Sequence, residues 1–302
     1  MNRGTLGLGL VWAALFLVSG CAEMVQVGTA IGQNKGMISR DDKQRIDRLA
    51  GEAAGALRPI TAREEHFIGR AVAARLLIQY PLEANGRNRY LNQVGSVVAL
   101  ASDRPVTYGG YHFAVLQTDE VNALACPDGI ILLTRGLLKR VKNEDELAAV
   151  LAHEVAHVNH QDGVASIQRA RWTQVVTTLG TEAARRVTGA QLNKLVGLFA
   201  GSVDDVVKTL VVNGYGRQQE LAADQSALQF LRRAGYSPQA LGDFLTRLAA
   251  EQGGGRAGLL ATHPGMSERL AKIQETLASG DWPKVDSRPR DRRFQAAMGA
   301  VG

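Results

Sequence analysis

The segment Asn143-Glu144-Asp145-Glu146, with the Ala- and Leu-rich run that follows it to His160, contains His153-Glu154-Val155-Ala156-His157. Asn143 with Glu146 three residues on has the form of a capping box, so a helix is predicted to start there and to carry all five residues. Four residues advance an α-helix by about one turn. Both imidazoles therefore leave one face at a spacing that can grip a single metal ion, with Glu154 beside them. A glutamate so placed can take a proton from an attacking water and pass it to a leaving amine. Five-residue motifs also arise by chance in long chains, so the weight of this one depends on a third ligand.

The identity of that ligand separates the classes of zinc peptidase. Glycine at 160 and histidine at 163 would continue the metzincin pattern, but the chain has His160 and Gly163. The thermolysin-like alternative takes a glutamate from a later helix. Glu182, Glu220, Glu251, Glu268 and Glu275 lie downstream. Only Glu220 stands in a predicted helix, about Gly216 to Ala234, with a carboxylate one turn on (Asp224) and a guanidinium one turn back (Arg217). One stripe would then hold a ligand, an acceptor for a ligating imidazole and a charge partner. Without the paired histidines the same trio reads as a surface ion-pair ladder.

Two further blocks complete an ordered set over about Thr61 to Ser279: Asn122-Ala123-Leu124-Ala125-Cys126-Pro127-Asp128-Gly129 running into Ile130 to Thr134, and Thr262-His263-Pro264 with Arg269 six residues past the histidine. With these the chain resembles the family of zinc metallopeptidases that takes in HtpX, BepA, LoiP, the mitochondrial Oma-type proteases and the CAAX prenyl proteases. The resemblance implies an α+β, mainly α, zincin (gluzincin-like) metallopeptidase domain with a small β-sheet. It implies one zinc ion per chain held by His153, His157 and Glu220, with Glu154 as general base and Asp224 orienting a ligating histidine. It further implies that His263 stabilises the tetrahedral intermediate or occupies the open zinc position as a latch, and that Arg269 assists nearby. The stretch holding Asn122, Ala123, Pro127 and Gly129 looks like the strand on which an extended substrate is laid. The family's usual Pro-Gly-Gly is here Pro127-Asp128-Gly129, which still suits a tight turn. Cys126 reads as a buried inert thiol, His66 and His112 as structural, and His160 as solvated or supporting a ligand.

The two cysteines allow at most one disulfide, which excludes a disulfide scaffold. Residues 1–20 carry one charge, Arg3, and an apolar run from Leu6 to Val18 that is too short to span a bilayer and reads as a secretory signal. It ends in Leu17-Val18-Ser19-Gly20-Cys21, which resembles a bacterial lipobox. Cys21 is thus the expected lipidation site and first mature residue, and the resemblance places the protein in the periplasm, on the outer membrane. Residues 21–60 are expected to form a tether and a helix over Ser39 to Leu57, residues 61–280 the peptidase domain, and residues 281–302 a solvated basic tail with Lys284, Arg288, Arg290, Arg292 and Arg293. Helices are predicted behind Thr61 and Glu64, over Asn88 to Ala101, after Pro238 as far as Gln252, and from Gly265 to Ser279. Tyr111 to Thr118 and Ile130 to Thr134 read as two strands of a hairpin.

A formal charge of +6 raises nucleic acid as a partner, but the basic residues are scattered among 29 acidic ones without a reading motif, so none is expected. The function expected is zinc-dependent endopeptidase of the cell envelope, acting on misfolded or stalled proteins, with Gly253 to Gly255 as a moving lid. The alternative is a lipoprotein chaperone or assembly factor in which hydrolysis is secondary; an aminopeptidase would need an acidic amine-binding signature that is not seen.

Overall fold

The computed structural model describes residues 39–41, 44, 59–84, 86–167, 189–251, 258–283 and 285–298, with backbone alone for 189–195 and Leu260. Cys21 with the signal and tether, most of the helix expected over Ser39 to Leu57, Glu182 and the Gly253 to Gly255 loop lie outside them. The chain divides into two units, residues 1–59 with 168–201 and residues 60–167 with 202–302. The second unit contains the paired histidines, Glu220 and His263.

This second unit is mainly helical with one small sheet. In chain order come α1 (Ala62–Gln79), α2 (Arg87–Leu100), β1 (His112–Leu116), β2 (Ala123–Cys126), β3 (Ile130–Thr134), α3 (Arg135–Leu138), α4 (Glu144–His160) and α5 (Asp162–Ala165). Helix α6 (Gly189–Lys208) crosses from the first unit and passes into a π-turn, Thr209–Asn213. Then come α7 (Arg217–Ala234), α8 (Gln239–Glu251), α9 (Leu259–Thr262), α10 (Met266–Ser279) and α11 (Arg288–Met298).

Helix α4 is the axis of the unit. Every residue from Glu144 to Val158 is buried, so the helix is apolar or paired all round rather than amphipathic. It packs on α7, α2, α8 and β2. Alanines at 148, 149, 152 and 156 face the core with Ala223 and Ala227 of α7, and small side chains let the two helices approach closely. That approach sets Glu220 opposite the paired histidines. At its start Asn143 Oδ1 accepts from Glu146 N–H at 2.8 Å. The reciprocal half of the expected box differs: the Glu146 carboxylate takes Lys142 N–H and the Arg247 guanidinium. At Thr61 and Glu64 the full capping box forms.

The sheet corrects the hairpin read from the sequence. Its order is β1-β3-β2: β1 and β3 lie parallel, His112 opposite Ile130, and the antiparallel hairpin joins β2 to β3, Ala123 opposite Leu133. Four-residue β2 is too short and too alanine-rich to show a strand period. The hairpin turns through Pro127-Asp128-Gly129, where Asp128 (φ 63°) and Gly129 (φ 93°) are left-handed. Asp128 tolerates this because its carboxylate accepts from Tyr108 and Gly109 N–H at 2.9 and 2.8 Å and meets His66 Nδ1 at 2.6 Å. Its own N–H donates to the fully buried Glu65, which Arg104 holds in a two-point pair.

The C-terminal residues also depart from expectation. Instead of a solvated tail, α11 lies on α4 and α2 with Phe294 buried in the core. Arg293 pairs with Glu144 and Arg290 with Asp145, so two of the five basic residues neutralise carboxylates in the first turn of α4.

Candidate metal centre

His153 and His157 project from α4 one turn apart, and their Nε2 atoms stand 3.1 Å from each other. Glu220, in the first turn of α7, brings Oε2 to 3.4 Å from His153 Nε2 and Oε1 to 3.4 Å from His157 Nε2. His263, just past α9, adds Nδ1 at 3.2 Å from His153 Nε2 and 3.0 Å from Glu220 Oε1. The four potential ligand atoms all lie within 4.8 Å of one another, and all four residues are buried.

Each imidazole on α4 is turned by a carboxylate behind it. His153 Nδ1 meets Asp224 Oδ1 at 2.9 Å and His157 Nδ1 meets Asp162 Oδ2 at 2.7 Å. His157 Nδ1 is hydrogen-bonded there, whereas His153 Nδ1 is close to Asp224 but off hydrogen-bond alignment; both Nε2 atoms face the cluster, as in ligating histidines. Asp162 is itself held by Gln219 Nε2 at 2.9 Å. Tyr215 stacks on His157, ring centroids 4.1 Å apart, and its N–H donates to Thr262 O. Gly214 precedes it with φ 71°, where a Cβ would come within 2.4 Å of Thr262 O. Chain and loop thus meet too closely for any residue but glycine.

Arg269 reaches the carboxylates of the cluster from α10. Fully enclosed, it donates from Nε and Nη2 to Asp224 at 2.7 and 2.8 Å, and its Nη1 lies 2.9 Å from Glu220 Oε2. It is the cation that holds the two carboxylates, a position expected for Arg217. Arg217, at the first position of α7, is instead exposed and pairs with neither among the described residues.

The electrostatics follow from this packing. Burial alone would push Asp224 and Glu220 up, but Arg269 beside Asp224 and His263 beside Glu220 outweigh it. Asp224 falls to about 2 and Glu220 is held well below the usual carboxylate range. Burial lowers His153 and His157, yet hydrogen bonds to the surrounding carboxylates raise both, His153 to about 9. The carboxylates of the centre are thus held ionised despite their burial, each by the cations beside it.

The donor set passes a test of fit for zinc. Five of the separations among the three imidazole nitrogens and the two oxygens of the Glu220 carboxylate run from 3.0 to 3.4 Å, close to the edge of a tetrahedron with ligand distances of about 2.0–2.2 Å. Beside them Glu154 is buried with both carboxylate oxygens lacking a hydrogen-bond partner, Oε1 lying 3.8 Å from His263 Nε2. A buried carboxylate left so is costly unless the working site supplies its partner.

Of the other residues singled out, Asn122 is buried, its Oδ1 accepting from its own strand at Ala123 N–H and from Thr262 Oγ1. Ala123, Pro127 and Gly129 are buried in or beside the hairpin. Cys126 is free and fully buried, its thiol pushed up to about 12 by burial and by Glu154's charge, and it is not among the clustered donors. His160 meets Ser226 Oγ at 3.0 Å, and His112 meets Gly109 O. The sequence reading missed Asp162 and Tyr215. Asp162, five residues past His157 across a left-handed Gln161, offered a spacing signal; Tyr215 offered none.

The model of peptidase family M48 matches residues 85–277, from α2 through the metal cluster to the last turns of α10. The chain belongs to peptidase family M48. M48 metalloproteases are zinc-dependent, in keeping with this donor set. The beta-barrel assembly-enhancing protease of Yersinia pestis is 28% identical over 226 residues, 73% of this chain and 45% of that protein. Metalloproteases YcaL and LoiP of Escherichia coli (strain K12) are each 27% identical over 169 residues, 56% of this chain and 63% of theirs. The chain thus spans less than half the length of the assembly-enhancing proteases it matches. Family M48 accounts for the order of the four blocks; the match stops short of α11, which begins at Arg288.

Proposed function

We propose that this protein is a zinc endopeptidase that hydrolyses internal peptide bonds of loosely folded envelope proteins. The observation that carries it is Glu154, whose unpartnered, buried carboxylate lies beside a tight cluster of three histidines and a glutamate. His153, His157 and Glu220 hold the ion, and Asp224 and Asp162 keep the two imidazoles turned toward it. Zinc, when bound, polarises the scissile carbonyl and makes water nucleophilic at neutral pH. Glu154 takes the proton from that water and delivers it to the leaving amine. His263 would act in one of two ways, as a fourth donor that keeps the site shut or as a donor to the developing oxyanion. Strand β2, at the sheet edge, offers backbone groups to an extended substrate. A narrow apolar recess bounded by Val150, Leu241, Phe244 and Leu245 reaches Glu154 and His263.

Lipid anchoring through Cys21 and an outer-membrane, periplasmic location rest on the Leu17 to Cys21 pattern and on the envelope relatives. Among the described residues no helix is long and apolar enough to cross a membrane. Mass spectrometry of the mature N-terminus tests the anchor: an acylated Cys21 is expected, and an unmodified one contradicts it. The name of the assembly-enhancing relatives favours a second reading, assistance to β-barrel proteins with hydrolysis secondary. Glu154→Gln separates the two, because full complementation of a deletion by that variant rejects the peptidase reading.

A further inference from the structure

On the flank of α4 remote from the zinc ligands a cavity of about 280 Å³ opens between the start of α2, the segment from α3 to α4, and α11. This is just below the range of about 300–1,000 Å³ typical of small-molecule sites. Its lining is divided by chemistry. Leu138, Val141 and Phe294, all buried, form the floor with Met298. Arg87, Arg135, Lys139 and Lys142 form the rim, and no carboxylate lines it.

The rim carries more positive charge than its neighbours neutralise. Arg135 and Lys139 share one carboxylate, that of the largely exposed Asp119, at 2.9 and 3.0 Å. Arg87 pairs with Glu83 at 2.7 Å. Among the described residues Lys142 has no ion-pair partner, its neighbour Glu146 being taken up by Arg247 and by the Lys142 backbone N–H. Without counting the Arg87–Glu83 pair, the three cations Arg135, Lys139 and Lys142 against the one carboxylate of Asp119 leave an excess of two positive charges over an apolar floor. A purely apolar ligand would leave the rim unused, and a simple anion would leave the floor wet.

We propose that this cavity binds one monomeric anionic amphiphile, its phosphate or carboxylate head on the rim formed by Arg135, Lys139 and Lys142 and its hydrocarbon on Leu138, Phe294 and Met298. The occupant would pack on the same helix that grips the start of α4, because Phe294 adjoins Arg293 and Arg293 pairs with Glu144. The site is independent of the peptidase reading.

Calorimetric titration of the full chain with decyl phosphate, kept below its micelle concentration, tests it. One-to-one binding is expected, weakened at least tenfold by the exposed double substitution Lys139→Glu with Lys142→Glu. Gln295→Trp, at the mouth, should weaken it similarly; both variants should keep the wild-type Tm. Octyl phosphate should bind more weakly than decyl phosphate, by about fourfold per methylene lost from the floor. Decyl maltoside, with the same tail and no charge, and inorganic phosphate alone should each bind at least tenfold more weakly. Equal binding of either control, indifference to the substitutions, or association with anionic vesicles but not with the free amphiphile would overturn the proposal.

Discussion

Glu154 is the residue on which the chemistry turns, and its neighbours determine what each substitution does. Glu154→Gln keeps the shape and the metal ligands but removes the base, so peptide turnover should fall by about 10²–10⁴-fold while zinc content stays at the wild-type level. Asp224→Asn removes the acceptor behind His153, and zinc affinity, read by competition with a chromophoric chelator, should fall by about 10–100-fold. Arg269→Met leaves Glu220 and Asp224 buried without their cation and should destabilise the metal-free protein by about 3–5 kcal/mol in urea unfolding. The clustered donors His153, His157 and Glu220 could be picked out from spacing and helix periodicity, because one turn of α-helix fixes which side chains share a face. Arg217 reads as the charge partner of Glu220, whereas that partner, Arg269, comes from another helix, 49 positions on, and no local spacing encodes that. Asp162 was missed although it lies only five residues past His157, because the left-handed conformation that bends the chain back falls on Gln161, a residue type that does not announce it.

Helix α11 illustrates how an element can look dispensable in sequence and hold a neighbour in place. Five basic residues suggested a solvated segment, yet the one aromatic among them, Phe294, is 4% exposed and meets Tyr90 edge-on. Phe294→Ala should cost about 3–5 kcal/mol, measured as the loss of unfolding free energy in urea. Glu144 adds a pH dependence. Burial pushes it up, but Arg293 and the Tyr90 and Tyr236 hydroxyls hold it below its ordinary value near 4.5. A carboxylate lowered in the fold contributes stability that is complete above the unfolded value and is lost as pH falls through the folded one. Wild type should therefore lose stability below about pH 4.5 more steeply than Glu144→Gln, and parallel curves would refute the role of this pair. Strand pairing was the least legible feature at this scale: β1 and β3 each looked like strands, but the partner joining β3 in a hairpin was Ala-rich β2, whose four buried residues carry no alternation. The long helices were legible because capping residues and 3.6-residue periods mark their ends and faces.

At the scale of the molecule, the buried α4 serves two ends. Its C-terminal half presents His153, Glu154 and His157 to α7 and to the loop at His263, while its first turn is tied down by α11, outside the family match. Zinc should link the two halves thermodynamically: a ligand that binds only the folded chain raises its stability by about 2.7 kcal/mol at a hundredfold excess over Kd. Chelation should lower the Tm of wild type, and added zinc should restore it. The mainly helical, single-core unit and its metal cluster were foreseeable from composition and motif order, whereas the docking of the C-terminal helix depended on tertiary contacts. The most direct test of the central claim is mass-spectrometric mapping of casein fragments produced by wild type and by Glu154→Gln at equal zinc loading. Internal fragments from wild type, abolished by chelation and absent with the variant, are expected. The same fragments from both proteins, or none from the zinc-loaded wild type, would contradict it.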